Sequence, residues 1–153
     1  MTEADLKFDA EYGYHFNAMC ECFYGRLDFA LNVAMLLGGS ASAVTALSPG
    51  ASMPSWGGAL LAICAAITLL AKPAEKAMLH RMAKCQYLKL KSRITAKNLG
   101  AIKSELATLQ GDAPNGLSSL AVRAANKTLD SLGYTSGHRR VGVVGWLLGL
   151  LTL

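Results

Sequence analysis

The sequence predicts an all-α membrane protein: a two-helix transmembrane hairpin, an N-terminal amphipathic helix and long cytoplasmic helices. Three observations carry that prediction. From Phe29 to Ala71 there is no Asp, Glu, Lys, Arg or His, an uncharged run of 43 residues. The run is broken once, by SPGASMP at 48–54, whose two prolines and one glycine suit a tight turn. Cations crowd its far side: residues 72–110 hold nine bases and two acids, against two and six in 1–28 and four and two in 111–153. At 153 residues the chain has room for one small unit. Only 16% of it is charged, well below the roughly 25% of a soluble domain.

Residues 1–28 read as a cytoplasmic amphipathic helix, because Phe8, Tyr12, Phe16, Met19 and Phe23 recur at helical spacing on one face. Thr2 and Asp5 are placed to cap its start, whereas Gly13 and Gly25 are weak points in it. The transmembrane hairpin follows over 29–71. Its first arm, 29–47, is about 20 residues and so about 30 Å of helix, enough to cross the hydrocarbon core. The outer turn is 48–54, and the second arm, 55–71, opens with Trp56 where an interfacial aromatic belongs and ends at Lys72-Pro73. A soluble helical hairpin would carry charged outer faces, and these arms carry none. Lys and Arg lie after the second arm and are absent from the turn, which predicts an inner (plasma) membrane protein with both termini cytoplasmic.

The basic region 72–109 reads as one long cytoplasmic helix with two short seams, Ala83, Tyr87, Leu90, Ile94 and then Leu99, Ile102, Leu106, Leu109. The five-residue step between Ile94 and Leu99 predicts a kink or change of partner near Asn98 to Gly100. In 110–140 a loop, QGDAPNG, precedes an amphipathic helix from Leu117 to Leu132 that Gly133 closes. The apolar C-terminal tail, 141–153, is too short to span. It is expected along the hairpin near the cytoplasmic leaflet or in the interface, with a half-inserted tail as the alternative.

Chemistry-bearing motifs are few. The chain has no phosphate loop, dinucleotide-binding glycine pattern, nucleophile elbow or HExxH, and no enzyme activity or cofactor is expected. His15, Cys20 and Cys22 form HxxxxCxC without a paired partner set, and His80 and Cys85 share no helix face well, so no metal site is predicted. Cys20, Cys22, Cys64 and Cys85 follow no secreted-scaffold spacing and read as free thiols. The acidic opening MTEADLKFDAEYG is not a signal peptide. No specific nucleic-acid binding is expected, since the charge asymmetry is that of a membrane flank.

The more informative pattern is small residues at fourfold spacing. Ala34, Gly38, Ser42 and Ala46 line one face of the first arm, and Gly58, Ala62 and Ala66 one face of the second. Such faces either pack the two arms together or form an oligomer interface. Asn32, Ser40, Thr45 and Thr68 are polar groups at membrane depth, expected to bond across helices or to line a pore. Lys72, Lys76, Arg81, Lys84, Lys89, Lys91 and Arg93 are the membrane-surface basic set. They suit anionic head groups, an acidic partner or the chain's own acidic N-terminal helix.

An N-terminal cytoplasmic helix, a hairpin with a short outer turn and then KPAEKAMLHRMAKCQYLKL at 72–90, with its His80 and Tyr87-Leu88, resemble the SLATT group of two-transmembrane bacterial proteins over roughly residues 10–110. The tail after His138 lies outside that pattern. The resemblance implies a membrane-permeabilising effector of bacterial conflict systems, held inactive until a signal, often from a cytoplasmic sensor partner, rearranges its cytoplasmic helices. The expected function is therefore a homo-oligomeric two-pass protein that forms or gates a pore in the lipid bilayer. The alternative is a non-conducting membrane-anchored adaptor that recruits a partner through its basic helices.

Overall fold

The computed structural model describes residues 2–47, 56–95, 98–150 and 152, with side chains throughout these except at 41–47, 56 and 150. The regular elements are all helical: α1 (Glu3–Leu47), α2 (Trp56–Ala71), α3 (Pro73–Lys91), α4 (Leu99–Gly111), a 3-10 turn (Ser118–Leu120), α5 (Ala121–Ser131) and α6 (Val143–Leu150). The all-α class is as expected. The chain divides into two compact units, one of Met1–Phe23 with Lys76–Leu153 and one of Tyr24–Glu75.

In the first unit the N-terminal part of α1 is the central helix. Its start is a reciprocal cap: Thr2 N–H donates to Asp5 Oδ2 at 2.6 Å, and Asp5 N–H donates to Thr2 Oγ1 at 3.2 Å. Leu6 and Ala10 of α1 join Tyr87, Leu90 and Ile94 and then Ile102 and Leu106 of α4 in one buried core. Gly13 is what lets α3 approach, because a side-chain carbon there would overlap the Tyr87 ring. Gly116 does the same for the loop after α4, since a carbon there would fall 2.5 Å from the Phe16 ring.

One sequence expectation needs correction in this unit. The helix predicted over 72–109 is two helices, α3 ending at Lys91 and α4 beginning at Leu99. Polar side chains between them take the bonds a continuous helix would make: Ser92 Oγ donates to the Lys89 carbonyl at 2.8 Å, Asn98 Nδ2 to the Arg93 carbonyl at 2.7 Å, and Thr95 N–H to Asn98 Oδ1 at 3.0 Å. The seam shift read at Ile94 to Leu99 is thus a full break, which returns Ile102 and Leu106 to the same core. The C-terminal tail rests one face on this unit. α6 packs on the 3-10 turn and α5 of this unit, because Gly145 and Gly149 present bare backbone to Ser119 and Arg123.

The separate N-terminal helix 1–28 and first arm 29–47 are instead one helix, α1, of 45 residues. No proline interrupts it, and a helical glycine costs only about 1 kcal/mol, which tertiary packing outweighs. In the second unit α1 buries Tyr24, Leu31 and Gly38, seven residues apart. α2 buries Cys64 and half-buries Gly57, Leu61 and Thr68 on one face. The outer turn 48–54 lies outside the described residues. α2 stops at Lys72, whose φ of 46° is left-handed. The residue before a proline is disfavoured in the right-handed helical region, and Pro73 then starts α3 in the first-turn position that tolerates it.

Candidate functional site

The Tyr24–Glu75 unit exposes many large apolar side chains. Phe29 is 71% exposed, Leu36 72%, Leu69 75% and Leu70 83%, with Leu37, Leu60 and Ile63 also exposed. Among the described residues one helical run, Gly57–Lys91, is long and apolar enough to cross a membrane, with an 18-residue window of mean hydropathy 1.7 of which 11% is buried. The first arm is described with side chains only to residue 40.

The two small-residue faces have different fates. Ala34 is half-buried and Gly38 buried, and a carbon on Gly38 would lie 3.2 Å from the Gly57 carbonyl oxygen and 3.7 Å from Leu61 Cβ. At Gly38 this face packs on the second arm. Gly58, Ala62 and Ala66 are all exposed, and among the described residues nothing lies within 4 Å of a carbon on Gly58. The packing face of α2 runs through Gly57 and Leu61, and one position onward is about 100° round the helix. Ser42, Thr45 and Ala46 fall where side chains are not described.

Asn32, Ser40 and Thr68, which the sequence reading places at membrane depth, bond within their own helices. Asn32 Nδ2 donates to Asp28 Oδ2 at 3.1 Å, Ser40 Oγ to the Leu37 carbonyl at 3.0 Å and Thr68 Oγ1 to the Cys64 carbonyl at 2.9 Å. Back-bonding of this kind satisfies a hydroxyl in a low-dielectric setting without a partner helix.

The basic set is largely committed to acids of the same chain. Lys84 and Arg81 of α3 pair with Glu21 of α1, Lys91 pairs with Glu11, Arg93 pairs with Glu105 of α4, and Lys72 lies 3.3 Å from Glu75. Lys76 is half-buried, and Lys89 is exposed. Arg81, Lys84 and Lys91 thus meet the acidic N-terminal helix, one of the three destinations read from the sequence, while Arg93 and Lys72 pair with acids outside it.

Sequence reasoning missed two buried polar pairs on the N-terminal part of α1. Glu11, His15, Asn17 and His80 are all buried. Asn17 Nδ2 donates to the Gly13 carbonyl at 2.8 Å, which turns Asn17 Oδ1 toward His80 Nδ1 at 2.8 Å. Burial lowers the His80 pKa, against a backbone bond at Asn115 and the charge of Glu21, with Lys76 lowering it further. Burial also lowers that of His15, whose Nε2 lies 3.2 Å from Glu11 Oε1; Glu11 opposes the shift, while Lys127 and Lys91 add to it. Burial raises the Cys20 thiol, partly offset by the backbone of Leu117. The signal available in the sequence was the Glu11/His15 pair at i,i+4; the partner of His80 lies 63 residues away.

Burial thus disfavours the protonated form of both imidazoles. The described residues contain no group of three or more His, Cys, Asp or Glu placed to hold a metal ion. Elsewhere in this unit α1 and α5 line a cavity of about 390 Å³ with Phe8, Asp9, Tyr12, Val122, Asn126 and Arg139 among its walls. No protein-family model, curated protein or solved structure matches the chain.

Proposed function

We infer that the chain is a two-pass membrane protein whose hairpins associate through the exposed face of α2 to form or gate a pore in the plasma membrane, with both termini cytoplasmic. One observation carries this reading. The small face Gly58, Ala62, Ala66 is exposed among the described residues and lies on an uncharged helix with exposed apolar flanks. In lipid, close backbone approach and dispersion drive helix association, and small faces permit both. The acidic and basic helices of the first unit, clamped through Glu11 and Glu21, are the element whose rearrangement would control assembly. This agrees with the effector role that the SLATT resemblance implies, with a cytoplasmic sensor as the source of the signal.

The adaptor reading has less support, because Arg81, Lys84, Lys91 and Arg93 already meet acids within the chain. Ala62→Leu is the discriminating variant. It should leave membrane abundance unchanged while reducing both cross-linked oligomer and dye release from liposomes by roughly tenfold, the equivalent of losing about 1.4 kcal/mol of association. Gly38→Leu should instead disrupt the hairpin itself. Wild-type protein that is monomeric in mild detergent and releases no dye would overturn the pore reading.

A further inference from the structure

α6 is amphipathic in an inverted sense. Its smallest residues face the protein: Gly145 and Gly149 are buried, with the Ser119 carbonyl 2.7 Å from where a Gly145 side chain would begin and the Arg123 guanidinium lying on Gly149. Its large apolar residues face outward. Val143 is 76% exposed, Val144 62%, Trp146 56% and Leu147 52%. An eight-residue helix is not stable alone in water, and a face of this kind stays uncovered only when a partner completes it.

The stem of α6 indicates that partner. Asn126 holds the backbone of Arg139 from both sides, its Nδ2 donating to the Arg139 carbonyl at 2.7 Å and its Oδ1 accepting from Arg139 N–H at 2.9 Å. His138 Nε2 is 2.7 Å from Asp130 Oδ1. These bonds fix Arg139 and Arg140 just before the apolar face, both exposed and in no ion pair among the described residues. A second copy brought face to face would oppose its arginines to these. Anionic head groups are complementary to them, and a tryptophan among aliphatic residues suits the zone beneath those head groups. At about 12 Å the helix is far short of the roughly 30 Å needed to span, so it lies in the interface.

We propose that α6 is an interfacial anchor: its glycine face seats on the 3-10 turn and α5 while Val143, Val144, Trp146 and Leu147 enter the surface of an anionic bilayer, held by Arg139 and Arg140. This rests on the membrane reading of the hairpin and is tested so that the two can fail separately. The chain has two tryptophans, Trp56 and Trp146. Full-length W56F and W146F proteins therefore each carry one fluorophore, reporting on α6 and on the hairpin respectively. Both are reconstituted in phosphatidylcholine vesicles with and without phosphatidylglycerol, using lipids brominated near the carbonyl end of the acyl chain.

The expected result is a blue-shifted Trp146 signal that brominated lipid quenches and acrylamide does not reach, stronger with phosphatidylglycerol. R139Q with R140Q should weaken it, since each cation near the surface biases the bound state roughly fivefold. Trp146 that stays open to acrylamide and unquenched by lipid overturns the proposal. Trp146 shielded from both quenchers also overturns it, in favour of a covering protein surface, and quenching indifferent to phosphatidylglycerol and to the arginines removes the anionic assignment. If Trp56 is quenched and Trp146 is not, the hairpin reading stands and this one falls; if neither is, the hairpin reading falls as well.

Discussion

At the scale of single residues, the buried histidines set the pH response. His15 and His80 have folded pKa values below the ordinary 6.5, burial being the main cause for each. Below that pH the unfolded chain binds protons that the folded chain refuses, so stability is full above about 6.5 and falls as pH drops toward the depressed folded values. The slope is at most about 1.4 kcal/mol per pH unit for each histidine. Thermal unfolding of the detergent-solubilised protein should show a midpoint that declines as pH falls below about 6.5, and His80→Gln should flatten the decline. A midpoint flat across that window would mean that neither imidazole is held neutral. His15 could be paired with Glu11 from the sequence alone, since four residues on a helix make neighbours. The bond from His80 to Asn17 could not, because it depends on α3 lying antiparallel to α1 at a register set by Gly13 and Tyr87.

At the scale of elements, two glycines of α1 give opposite predictions. Gly13 faces the Tyr87 ring, and Gly13→Leu should destabilise the first unit by about 1–3 kcal/mol or more through overpacking. Nothing lies within 4 Å of a carbon added at Gly25, so Gly25→Ala should stabilise α1 by up to about 1 kcal/mol through helix propensity. Denaturant titration followed by circular dichroism compares the two, and equal effects would mean that α3 does not pack on Gly13. In sequence these glycines are equivalent weak points. The ends of the helices show the same divide: the Thr2/Asp5 cap and the Gly133 stop, with φ of +79°, follow from local chemistry and were legible. The break between α3 and α4 was legible only as a seam shift, because the gain that favours a full turn is the burial of Ile102 and Leu106 against α1.

At the scale of the whole molecule, the prediction concerns insertion. Ile63 is 58% exposed in the middle of α2. An arginine there should oppose membrane insertion by about 3 kcal/mol. Ile63→Arg should therefore move the chain out of the carbonate-resistant membrane fraction, whereas the same substitution at exposed Leu88 of α3 should not. Retention of Ile63→Arg in that fraction would count against a spanning α2. The sequence by itself determined that the chain is helical, where its uncharged stretch lies and where its cations gather, because these follow from composition and from periodicities of three to four residues. Tertiary structure alone decided that Glu11 and Glu21 take up the basic helix, that the small face of the first arm packs inward at Gly38 while that of the second is exposed, and that α6 seats by its glycines. Each of these depends on which surfaces of distant segments meet, and one-dimensional spacing shows that a face exists without showing what covers it.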